Sequence, residues 1–97
     1  MTDTRESAIA TVQVDNERFI VTEWRFPPGA HTGWHRHRYP YVVVPMTTGR
    51  LLLESADGSK YNELVAGRSY SRDAGVEHDV INDGEGEFVF IEIERKL

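Results

Sequence analysis

Gly67-Arg-Ser-Tyr-Ser-Arg-Asp73-Ala-Gly75-Val-Glu-His78-Asp-Val-Ile-Asn82 is the stretch whose reading decides the fold. Turn formers bound two short runs of strand-forming residues within it, and the second run carries a histidine in its interior. A histidine on a strand faces one side of the sheet, so its chemistry depends on what else shares that side. Upstream, His35 and His37 form a His-x-His pair. On a strand the two point to one face with Cα atoms about 6.6 Å apart, two rises of roughly 3.3 Å. That gap lets both imidazoles lean onto one ion at about 2.0–2.1 Å. His78, from a neighbouring strand, would complete a facial set with coordination positions left open.

Outward from these motifs the chain reads as all-β. Apolar residues alternate or come in short runs bounded by Gly, Asp, Asn and Pro, and no segment has a helical period. The expected strands are residues 10–14, 19–26, 33–37, 41–45, 50–55, 59–64, 67–72, 77–82 and 87–94. Pro27-Pro28-Gly29 stops the second, and Ala56-Asp57-Gly58 marks a hairpin. Short strands at this spacing belong to a sandwich or barrel. Val42–Val44, Leu51–Leu53 and Phe88–Ile91 are apolar on both faces. Sheet packing covers one face, and a subunit interface, hence a homodimer, is expected on the other.

The 97 residues predict one domain, residues 1–97, with one core. The net charge of -5, from 16 acidic and 11 basic residues, argues against a nucleic-acid footprint. There is no cysteine, which removes disulfides, thiolate metal sites and cysteine nucleophiles. The opening Met-Thr-Asp-Thr-Arg-Glu lacks the apolar core of a signal peptide. The longest apolar run, Tyr41–Met46, holds a proline and is too short to span a bilayer. A cytoplasmic protein without membrane attachment is the expectation.

Gly29-x5-His35-x-His37 followed by Gly49 resembles the first signature motif of the cupin superfamily, and Gly67-x5-Asp73-x-Gly75-x2-His78-x3-Asn82 resembles the second. Only the second motif's usual proline is missing, with Asp73 in its place. The chain is most similar to small stand-alone cupins associated with β-alanine degradation. The resemblance implies a double-stranded β-helix, a form of jelly roll. It also implies one divalent transition metal per chain, held by His35, His37 and His78. Fe(II) is favoured, with Zn, Ni or Mn as alternatives.

The first motif normally supplies a glutamate three or four residues after its second histidine, where this chain has Tyr41 and Val42. No Asp or Glu lies between His37 and Gly49. A three-histidine set remains, similar to that of cupin dioxygenases acting on thiols or diketones. Without the carboxylate the centre is more electropositive and favours a small anionic molecule or hydroxide. Tyr41 keeps parity with His35 and His37 if the strand runs regularly through Pro40, which would place its phenol near the metal. Arg25 and Arg72 are the candidates to clamp a substrate carboxylate. His31 reads as a mouth or surface residue able to assist proton transfer, rather than as a ligand. Asn82 reads as a structural tie to neighbouring backbone. Glu92 and Glu94 share one face of the last strand and read as solvated. Trp24 and Trp34 fit a pocket wall, the core or an interface equally well. The expected function is a non-haem metal-dependent dioxygenase or isomerase for a small anionic metabolite. A non-catalytic metal or ligand-binding module is the alternative.

Overall fold

The computed structural model describes residues 4–96. Met1–Asp3, part of the polar opening read above, lie outside the described residues, as does Leu97. Nine strands follow one another: β1 (Ile9–Asp15), β2 (Phe19–Phe26), β3 (His35–Arg36), β4 (Tyr41–Pro45), β5 (Gly49–Ser55), β6 (Gly58–Leu64), β7 (Tyr70–Arg72), β8 (Glu77–Ile81) and β9 (Phe88–Arg95). They form a five-stranded sheet in the order β1-β2-β9-β4-β7 and a four-stranded sheet in the order β3-β8-β5-β6. Every strand pairing is antiparallel. Apart from the β1–β2 and β5–β6 hairpins, each connection carries the chain from one sheet to the other. That alternation is the double-stranded β-helix expected from the sequence.

Inward residues of both sheets make one core. Phe26, Tyr41, Val43, Phe88 and Phe90 from the larger sheet meet Leu51, Leu64 and Val80 from the smaller, with Ala30 from the β2–β3 loop. Phe26 and Phe90 pack as a tilted ring pair with centroids 5.5 Å apart. Each such ring contributes roughly 1.5–3 kcal/mol through burial. Gly49 starts β5 directly against Phe88, whose ring carbon lies 3.4 Å from where a Cβ would stand. A Cβ there would rest in contact with the core ring, and a longer side chain would compete with it for space.

Two expected strands come out three residues shorter. The run from residue 67 joins the sheet only at Tyr70, because Gly67 adopts φ +82° and spends its N–H on the Pro45 carbonyl at 2.8 Å. The run from residue 33 contributes only His35–Arg36, because the Gly33 N–H is claimed by the Asp79 carboxylate at 3.0 Å. His37 still extends the β3–β8 ladder. Its N–H donates to Val76, and its carbonyl accepts from Gly75, both at 2.8 Å.

Asn82 closes the structure beyond β8. Its amide donates to the carbonyls of Gly86 at 2.8 Å and Phe26 at 3.1 Å, and its oxygen accepts from the Gly84 N–H at 3.1 Å. The structural tie expected of this residue is thus in place. On the outer face of the larger sheet, Val14, Val21, Ile93 and Val42 stand in one cross-strand row. Ile91 and Val44 extend it in the next. These are the second faces of the doubly apolar strands, and no strand among the described residues packs over this row as a third layer.

Candidate metal centre

Antiparallel register builds the centre. His35 on β3 pairs directly with His78 on β8, so both rings rise on the same face of the smaller sheet. His37 lies two residues further on and shares that face. The His37 Nε2 is 3.0 Å from the His35 Nε2 and 3.2 Å from the His78 Nε2. The three rings stand edge to face, with centroids 4.7 to 5.2 Å apart. An ion bound at about 2.1 Å subtends about 3.0 Å between two ligands at a right angle, so these separations match one facial set. The second coordination layer agrees. The His35 Nδ1 is 2.8 Å from the Gly33 carbonyl, which fixes the proton there and leaves the Nε2 lone pair for an ion.

The electrostatics also prepare the rings. Burial, then the neighbouring His35 and His78, lowers His37 from the usual 6.5 to about 3. Burial, then His35, lowers His78 to about 4. Both rings are therefore neutral ligands well below neutral pH. Protons compete with metal for these two only near pH 4 and below. Metal affinity measured between pH 6.5 and 5 should therefore fall by no more than about one decade per pH unit. A fall of two or more decades per unit would contradict the buried-neutral picture. The metal-free fold behaves separately. An unfolded chain protonates these imidazoles from about pH 6.5 downward, so stability declines from there towards pH 3.

The cluster opens into a cavity of about 530 Å³ between the sheets. Tyr41 faces it from β4, its ring stacked on His37 with centroids 3.9 Å apart. Tyr41 reaches this place differently from the way parity implied. The chain leaves the smaller sheet after His37 and enters the larger at Tyr41, so the two rings meet across the cavity rather than along one strand. Burial, then Glu92, raises the Tyr41 phenol, which stays protonated at neutral pH. Arg72 pairs with Tyr41 across β4–β7, lies over the Tyr70 ring at 4.6 Å and lines the cavity.

Arg25 takes no part in this cavity. It pairs with Glu87 at 2.6 Å and Glu23 at 3.1 Å on the outer face of β2. Arg25→Ala should therefore leave metal content unchanged by elemental analysis; a loss of metal would mean that Arg25 acts on the centre after all. His31 does not stand at the cavity mouth either. Its Nδ1 is 2.9 Å from the Asp79 carboxylate, on the side of β8 opposite His78. Trp24 lines the cavity and packs on the core, while Trp34 is exposed.

The centre also contains acids that the motif reading did not supply. Glu92 and Glu94 on β9 both line the cavity. Glu92 is buried rather than solvated, 7% exposed, with an oxygen 3.9 Å from the His37 Nδ1. With His37 held neutral, that approach is not an ion pair. Burial, then Glu94, raises Glu92 from 4.5 to about 7. Burial also raises Glu94, opposed by His35. A signal for them was present in the alternation of the last strand. Phe88 and Phe90 face the core, and the same parity carries Glu92 and Glu94 inward.

An antiparallel two-sheet barrel with converging histidines at one end defines a class, and comparison with known proteins agrees. The Cupin domain family model matches residues 22–94, and the chain belongs to that family. It is 60% identical over 92 residues to the β-alanine degradation protein BauB of Pseudomonas aeruginosa, covering 95% of this chain and 97% of that protein. Among solved structures it is similar to a cupin domain from Bordetella pertussis Tohama I. That match has 62% identity and a TM-score of 0.96, and covers 99% of this chain and 100% of the other. A double-stranded β-helix protein from Klebsiella pneumoniae matches with a TM-score of 0.75 at 18% identity, over 97% and 81% of the two chains, and shows the fold alone.

Proposed function

We propose that this protein is a mononuclear metal-dependent cupin enzyme, a dioxygenase or isomerase, acting on a small metabolite with an anionic group. The convergence of three imidazole Nε2 atoms at 3.0 and 3.2 Å carries this reading. His35, His37 and His78 would hold the ion, with Fe(II) favoured and Zn, Ni or Mn as alternatives. A bound iron supplies O₂ activation, and a redox-inert ion supplies Lewis-acid polarisation of a carbonyl.

The chain's own groups do the rest. Arg72, steadied on Tyr70, clamps the substrate carboxylate at the cavity edge. Tyr41 holds His37 by stacking and offers a protonated phenol as a hydrogen-bond donor. The apolar walls, Trp24, Val43, Leu51 and Phe90, keep water from the far end of the cavity. The relation to a protein named for β-alanine degradation supports a role in the metabolism of a small carboxylate.

The setting we propose is a cytoplasmic homodimer. Support comes from the cysteine-free composition and from the apolar outer row Val14, Val21, Ile93 and Val42. No helix among the described residues is long and apolar enough to cross a membrane. The test is metal analysis of protein purified without a nickel column, followed by oxygen uptake on iron-reconstituted protein. Thiols, diketones and hydroxy acids would serve as substrates. Iron with substrate-dependent oxygen consumption supports the dioxygenase. Substrate interconversion without oxygen supports the isomerase. Tightly held metal with no turnover in either assay gives the protein to the second reading, a non-catalytic binding module.

A further inference from the structure

The larger sheet sets opposite charges side by side beneath the histidines. On its inner face, Glu94 on β9 pairs with Tyr41 on β4, and Tyr41 pairs with Arg72 on β7. In the next row Glu92 pairs with Val43, and Val43 with Tyr70. Glu94 and Arg72 are thus two strands apart, about 9.5 Å between backbones, with a phenol between them. Both side chains, and that of Glu92, line the one cavity.

Among the described residues, no lysine or arginine pairs with Glu92 or Glu94. Glu92 has a side chain only 10% exposed, lines the cavity and makes no hydrogen bond to another described residue. Its nearest basic neighbour, His37, points its Nε2 at the other histidines. Burial of a carboxyl with no lysine or arginine beside it disfavours its charged form, and a ligand that brings a cation offsets that cost. The basic end is different: the Arg72 guanidinium rests on an aromatic face and retains donors for an incoming carboxylate.

We infer that the cavity selects a zwitterion: a short-chain amino acid whose ammonium lies between Glu92 and Glu94 and whose carboxylate meets Arg72. This rests on the proposed function for the location of the site. It changes the substrate class, from a plain anion to a molecule carrying both charges. A bare dicarboxylate or phosphate would bring its second negative charge against the β9 glutamates and be rejected.

Three ligands of matched length test this by calorimetric titration into protein loaded with one equivalent of redox-inert zinc. They are 3-aminopropanoate, propanoate and propylammonium. 3-Aminopropanoate should bind at least about tenfold tighter than propanoate, the scale of one partly buried charge pair. Glu94→Gln and Glu92→Gln should each shrink that preference to about twofold while zinc content stays at one per chain. Arg72→Gln should instead shrink the preference over propylammonium. Equal or tighter binding of propanoate by the wild type would overturn the inference. So would a preference that survives both glutamine substitutions, or zinc-loaded protein that binds none of the three. A second equivalent of zinc, lost in Glu94→Gln, would also overturn it, because the carboxylates would then be ligands. Failure to take up zinc at all would instead count against the metal centre. The same titration on zinc-free protein would still read whether the glutamates select for an ammonium.

Discussion

His78→Ala is expected to lower metal affinity by well over the roughly hundredfold that loss of an outer-layer contact costs, and His35→Ala should do the same. Each variant removes one of three imidazoles whose mutual spacing defines the centre. Two ligands and water cannot replace the chelate. The fold should survive, because the lost ring faces the cavity and not the packed interior of Phe26, Leu51 and Phe88. The paired control is His31→Ala. That histidine is engaged with Asp79 away from the cavity, so metal content should stay at the wild-type level. Elemental analysis gives stoichiometry, and thermal unfolding with and without metal gives affinity, since an ion bound only to the folded state raises its stability. If His31→Ala lost the metal while His78→Ala kept it, the ligand set would be wrong.

Asn82→Ala should be the most destabilising single substitution away from the core rings. The side chain is 2% exposed and serves the Phe26 and Gly86 carbonyls and the Gly84 N–H together. Truncation takes a partner from three backbone groups; each costs about 1–3 kcal/mol when left unsatisfied, which sums to about 3–9 kcal/mol. For a domain of this size each kcal/mol lowers the melting temperature by about 4–8 °C. Asn82→Asp should fare almost as badly, because the two donated bonds need an amide. Urea unfolding checks both. A loss under about 1 kcal/mol in either variant would show that water or local rearrangement replaces the amide.

Much of this was legible because the deciding features are local. Turn formers delimit every strand, so nine expected runs correspond to nine observed strands. His35, His37 and His78 depend only on side-chain alternation and one cross-strand pair. Features that depend on which strands become neighbours were harder to see. β9 inserts between β2 and β4, so strand alternation turns Glu92 and Glu94 inward, but only that insertion sets their face onto the histidines. Arg25 misled for the converse reason. Its charge suits a substrate clamp, but its parity sends it outward to Glu23 and Glu87, opposite Trp24 and Phe26. Tyr41 was singled out by a count along one strand, whereas the structure stacks its ring on His37 from the other sheet. Its position comes from the crossing between sheets.

The pairing of β2 with β9 joins Phe19 to Arg95 and Phe26 to Phe88. The central ribbon of the larger sheet is therefore made from segments separated by most of the chain, and it cannot zip until β9 is available. During synthesis the earlier strands must wait with open edges, and closure carries the entropic cost of a long loop before any core contact repays it. Maturation of the barrel is thus tied to its last strand. That strand also bears Glu92 and Glu94, so a ribosome-bound chain short of β9 has neither a closed wall nor these two acids beside the histidines. Any ion it met early would find histidines without a vessel.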